Sequence, residues 1–256
     1  MRKILQGNKL AVYADSEFSY SPISMHKEMK KSGVVTADGG SLILNHPQIQ
    51  DQPAIPMDFA SWLPFAAPQY HISADVKDYV LTPVIIMPSD LPNRNSVGFP
   101  LRELIRFNPE YGMQAYKTWK GQPTHLEHAN QDITKAYGVI VDAFMRPMKA
   151  YGQNKVWKFM QLLAFDRSKH PEITSKIESG EINSYSMGAF VDSYTCSICS
   201  ADLGNCHHLN PKIQGQFYEL DGQLAFKNVR GIKGFETSAV SDPAYVSAIS
   251  DEVKVL

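Results

Sequence analysis

The chain is 256 residues long, 43% apolar and 20% charged, a balance that suits one large soluble domain or a domain with an arm. Its 25 basic residues nearly cancel 26 acidic ones, so the net charge of −1 offers no electrostatic footprint for nucleic acid or a membrane surface. Apolar runs are too short for a transmembrane helix, residues 1–8 lack the apolar core of a signal peptide, and three cysteines make no disulfide framework, so a reducing cytoplasm is expected.

Residues 1–75 are punctuated by Gly39-Gly40 and by the turn-rich run 45–53, and read as a partly ordered arm. Apolar pieces such as residues 59–65 are expected to dock on a core. From residue 76 the texture changes. Residues 79–87 are rich in β-branched side chains and predict a strand bent at Pro83. A short helix is expected from Pro100 over 101–107, and a second helical stretch over 109–117. Residues 138–144 predict a strand, whereas 156–165 are apolar enough to be a strand or a buried helix. Pro171 opens a helix over 172–179, closed by Gly180. Residues 183–190 alternate as a strand, and 216–220 with 224–229 flank Asp221-Gly222 as a hairpin. The chain as a whole predicts an α+β fold dominated by strands, closed or nearly closed into an antiparallel β-barrel with short helices around it.

Three constellations carry chemistry. Cys196-x-x-Cys199 is followed by Cys206-x-His208, so all three cysteines fall within eleven positions. Thiolates with imidazole suit tetrahedral zinc, and a Cys₃His set without an open position is the structural type. The spacing predicts an insertion over 194–210 stapled by one structural Zn2+ on Cys196, Cys199, Cys206 and His208. Ser186 stands before Met187-Gly188 on a predicted strand, where the glycine leaves room for another chain. Alternation through residues 123–130 puts His125 and Glu127 on one face and Leu126 and His128 on the other. Either histidine is suited to take a serine proton near neutral pH. His125, Glu127 and His128 are also ligand-like, which leaves a metallohydrolase open. Glu236, on a strand-like alternation, could hold an imidazole's tautomer.

Taken together, these segments resemble the procapsid (prohead) maturation proteases of tailed bacteriophages, serine proteases that share a fold with herpesvirus assembly proteases. The matching stretches, in order, are 121–128 with 138–143, then 164–169, Ser184-Tyr185-Ser186-Met187-Gly188, and 235–244. A Cys-x-x-Cys and Cys-x-His insertion after the nucleophile strand occurs in some large-phage members. The resemblance spans about residues 79 to 247 and implies a serine endopeptidase domain over 76–256, with Ser186 as nucleophile, His128 as general base and Glu236 as orienting acid. Implied substrates are scaffolding or core proteins and major capsid protein extensions, cleaved inside the procapsid in the host cytoplasm, with self-cleavage. A homo-oligomer within the prohead fits the same picture. By the same resemblance, residues 229–234, with Arg230, are candidates to stabilise the oxyanion. The competing reading is a non-enzymatic, zinc-stapled scaffold or core protein with a degenerate protease fold.

Overall fold

A computed structural model describes residues 57–147, 156–210 and 222–241, together with the backbone of three strands nearer the N-terminus. Those three are β1 (Leu5–Gln6), β2 (Lys9–Ser16) and β3 (Phe18–Ser19). They are followed by helix α1 (Met57–Tyr70) and strand β4 (Tyr79–Pro88). Next come β5 (Val97–Gly98), helix α2 (Leu101–Leu104) and the small hairpin β6 (Phe107–Asn108) with β7 (Met113–Gln114). The central part of the chain supplies β8 (Pro123–Leu126), β9 (Gly138–Pro147), β10 (Trp157–Asp166) and helix α3 (Pro171–Glu178). The last described elements are β11 (Tyr185–Val191), β12 (Ser193–Cys196), β13 (Lys227–Arg230) and β14 (Lys233–Ala239).

Nine strands form one curled sheet in the order β1-β2-β11-β14-β8-β9-β10-β4-β3, and a second sheet runs β12-β13-β5. The architecture is α+β and strand-dominated, but the large sheet is a half-barrel and not the expected closed antiparallel barrel. Its ends are β1 and β3, and each pairs with its neighbour over only two residues, so the hydrogen-bonded ladder runs out before it can close into a ring. Nor is it wholly antiparallel, because β14 and β8 run side by side in parallel. A parallel neighbour requires a long crossover, and here that crossover carries β9 to β13.

The centre of the sheet is covered on both faces. Ile140, Phe159, Leu163 and Phe165 join the main core with Trp119, Tyr185 and Met187. Val139, Val141, Leu162 and Ala164 face the other way, against Phe59, Leu63 and Ala67 of α1. A strand buried on both faces loses its polar alternation, so β10 reads as one continuous apolar run. That is why residues 156–165 did not separate strand from helix in the sequence. The stretch 109–117 is not helical: β7 and a 3-10 turn at Ala115–Trp119 occupy its second half. Residues 216–220, half of the expected hairpin, lie outside the described residues.

Helix α1 forms despite Pro64 and Pro68 in its interior. Both prolines are on its exposed side, so the carbonyls that lose an N–H partner can be hydrated. The inward stripe Phe59, Leu63, Ala67 and Tyr70 recurs at helical spacing and fastens α1 to β9 and β10. Among the described residues no helix is long and apolar enough to cross a membrane. Leu63 is fully buried and Phe65 is 76% exposed. Leu63→Ala is therefore expected to lower unfolding free energy by about 2–5 kcal/mol in urea titration. Phe65→Ala should stay within about 0.5 kcal/mol of the parent.

Candidate active site

Strand β11 turns Tyr185, Met187, Ala189 and Val191 into the main core and leaves Ser186, Gly188 and Phe190 on the opposite face. Its antiparallel neighbour β14 sets Ser238 across from Ser186 and Glu236 across from Gly188. A register shift between Gly188 and Ala189 leaves Phe235 as an extra residue on β14. Gly188 is required by close approach: a Cβ there would lie 2.5 Å from the Phe235 ring and 2.7 Å from Glu236 Oε1. The absent side chain makes the space that the carboxylate fills.

His128 does not follow the alternation read from the sequence. β8 ends at Leu126, and Glu127 and His128 both adopt left-handed backbone, with φ of 48° and 55°. This tight turn is held by Glu127 N–H donating to the Ala239 carbonyl at 2.8 Å and by Ala129 N–H donating to Leu126 at 2.9 Å. It swings the His128 ring over the face that carries Ser186. His128 Nε2 is 2.5 Å from Ser186 Oγ, and Nδ1 is 2.8 Å from Glu236 Oε1. The second carboxylate oxygen accepts the Ser238 hydroxyl at 2.6 Å. Ser186 and Ser238 are fully buried, Glu236 is 1% exposed and the His128 side chain 13%. With the proton on Nδ1, Nε2 is left as an acceptor for the serine hydroxyl. Such an arrangement can remove a hydroxyl proton and stabilise the imidazolium that results.

The other candidates point elsewhere. His125 is fully buried on β8, with its in-register partner Ser238 beside it. Burial pushes its imidazole below the usual range, and the Ser186 hydroxyl bonds to His128 instead. Glu127 accepts the backbone N–H of Ser241 at 2.6 Å, which leaves His125, Glu127 and His128 without a common focus. Arg230 pairs with Asp202 at 3.7 Å, and the Gly231 amide donates to Glu103 at 3.4 Å. That segment leads into Lys233, about 16 Å along β14 from Ser238, so it does not serve an oxyanion at Ser186. Ser238 was not singled out in the sequence. Its signal was available, two positions from Glu236 on the same strand face.

The cysteines come together as their spacing predicts. The ligand atoms of Cys196, Cys199, Cys206 and His208 all lie within 4.8 Å of one another. Cys199 Sγ is 3.3 Å from Cys206 Sγ, which is itself 3.3 Å from His208 Nδ1. Tetrahedral zinc with thiolate ligands would separate its sulfurs by about 3.8 Å, between these limits. The Ala201 amide and the Cys206 thiol, hydrogen-bonded to the Cys199 sulfur, lower that thiol to about 7, toward the ligating thiolate. Cys206 is raised to about 11, first by burial and then by its hydrogen bond with Cys199. The donor set fits a single metal ion, with four protein ligands and no open position.

No protein-family model and no curated protein matches the chain. Among solved structures it is similar to the bacteriophage T4 capsid assembly protease gp21, at 19% identity and a TM-score of 0.37, over 64% of this chain and 82% of that one. The functional reading therefore rests on the side chains described above.

The four clustered donor atoms make a direct prediction. Elemental analysis of the purified protein is expected to find one ion per chain, and a strong chelator or Cys206→Ser should lower the melting temperature. An unchanged melting curve after metal removal would dismiss the clip.

Proposed function

We propose that this chain is a serine endopeptidase in which Ser186 attacks a scissile carbonyl. The observation that carries the reading is the hydrogen-bonded chain from Ser186 Oγ through both ring nitrogens of His128 to Glu236 Oε1. A serine hydroxyl is a weak nucleophile until a base takes its proton. His128 Nε2 is in reach of that proton, and Glu236, buried beneath it, favours the imidazolium formed as the oxygen attacks. The same imidazolium then donates its Nε2 proton to the leaving amine. Water, deprotonated by His128 in turn, releases the acyl group and regenerates Ser186.

The substrates belong to the proposal as well. The order of the motifs around Ser186, His128 and Glu236 resembles that of prohead maturation proteases. On that basis the substrates are scaffolding or core proteins and extensions of the major capsid protein, cleaved within a procapsid. Residues 76–256 are proposed as the peptidase domain with its insertion at 194–210. Residues 1–75 are proposed as an arm that tethers the enzyme or is trimmed by it, fastened by β2 along β11 and by α1 on β9 and β10. Zinc is the metal proposed for Cys196, Cys199, Cys206 and His208. It would supply a cross-link that holds the insertion, and every proton in the reaction moves between Ser186, His128, substrate and water.

Ser186→Ala is expected to abolish cleavage of a co-expressed scaffold and labelling by a fluorophosphonate. Glu236→Gln should fold normally and lose roughly 10³–10⁴-fold in kcat, since an amide cannot stabilise the imidazolium. Processing that survives Ser186→Ala would end this reading. Absence of both processing and labelling in the parent would leave an internal scaffold protein with the same fold.

A further inference from the structure

The carboxylate of Glu236 has two oxygens, and only one of them faces His128. The other, Oε2, accepts a hydrogen bond of 2.6 Å from Ser238 Oγ, and both residues are sealed from solvent. Ser238 sits two positions from Glu236 on β14, so the two side chains share a face. Its neighbours in register are Ser186 on β11 and His125 on β8. Three adjacent strands thus present Ser186, Ser238 and His125 in one row, with Glu236 and the His128 ring over it. His125, fully buried, closes the β8 side of this row.

We infer that Ser238 is a positioning residue: its hydroxyl fixes the orientation of the Glu236 carboxylate and thereby the ring of His128. The inference rests on the peptidase reading for its catalytic consequence, though not for its structural content. An ionised carboxylate at this depth needs both oxygens satisfied, because a buried, unpaired acceptor is costly. A carboxylate tied at one oxygen only can rotate about its last bond. His128 would then lose a fixed acceptor for Nδ1–H, and Nε2 would spend less time aimed at Ser186. The Ser238 hydroxyl bonds to Glu236 and not to Ser186 or His128, so its effect travels through Glu236. A hydroxyl is the group suited to this place. It donates one hydrogen bond without bringing a second charge beside Glu236.

The experiment compares Ser238→Ala and Ser238→Thr with the parent, using the full chain in its metal-loaded form. Loss of a hydrogen bond to a charged group corresponds to a fall of roughly tenfold or more in kcat. That fall is expected in Ser238→Ala with KM unchanged, and Ser238→Thr, which keeps the hydroxyl, should restore most of it. Proton NMR provides a readout that needs no turnover. The Nδ1 proton shared by His128 and Glu236 should give a far-downfield resonance, absent in Glu236→Gln, that shifts or broadens in Ser238→Ala and returns in Ser238→Thr. A resonance and kcat that stay as in the parent would overturn the inference. So would equal losses in the alanine and threonine variants, which mark mere packing. If the parent neither cleaves nor reacts with fluorophosphonate, the peptidase reading fails, and the resonance still decides whether Ser238 holds Glu236.

Discussion

A carboxylate placed inside a sheet governs this structure. Glu236 is almost without solvent, and an ionised side chain at such depth survives only where its charge is matched and its oxygens are bonded. Several features that look unrelated in the sequence answer that one demand. Gly188 gives up its side chain so that the carboxylate has room. The extra residue at Phe235 re-aims β14 at the point where Glu236 must project. His128 reaches one oxygen from a turn with left-handed backbone at two successive non-glycine residues, a conformation such residues seldom adopt. That turn persists because Glu127 is bonded through both its main chain and its carboxylate to the end of β14.

The parallel pairing of β8 with β14 is the topological counterpart of the same constraint. Had β8 met β14 as a hairpin partner, the turn after Leu126 would fall at the opposite end of β14, away from Ser238. Running parallel, β8 and β14 finish together, so the turn that carries His128 emerges beside Glu236 and Ser238. The sheet remains curled and open, and its central strands gain their second cover from α1. Burial of Phe59 and Leu63 under β9 and β10 contributes about 1.5–3 kcal/mol per side chain. The helix thus stabilises, from the far side, the strand that sits next to β8.

How much of this was legible depended on how far apart along the chain the interacting residues lie. The cysteine cluster was readable because its donors fall within thirteen residues and their chemistry is specific. Ser186 and Gly188 were readable as a strand, because along β11 these two small residues alternate with the larger, core-facing Tyr185 and Met187. The choice between His125 and His128 was not, since alternation was extended past Leu126, where the strand in fact stops. No residue type announces left-handed backbone at Glu127 and His128. It is imposed by bonds to residues 239 and 241, more than a hundred positions away. α1 was hidden by its prolines, which disfavour a helix locally and are tolerated only because tertiary packing holds the buried face. Closure of the barrel was overestimated because strand content alone does not reveal how short the edge strands are.

The clip and the buried carboxylate are not independent, because they share the ends of the same strands. β12 leaves β11 after the single residue Asp192 and enters the clip at Cys196. β13, paired with β12 along Ser193 to Cys196, returns through Gly231 to β14, the strand of Glu236. Arg230 on β13 also pairs with Asp202 inside the insertion. Loosening the insertion would therefore free the β12-β13 ribbon first, at the end of β11 and β14 remote from Ser186. The hydroxyl, imidazole and carboxylate would feel it only as fraying advanced along those two strands. A cross-link acting at that distance can set how long the site stays assembled without contributing to any proton transfer within it. On the proposed reading, loosening the insertion would thus cost stability before reactivity, because the connectivity places the cysteine cluster at the far end of β11 and β14 from Ser186.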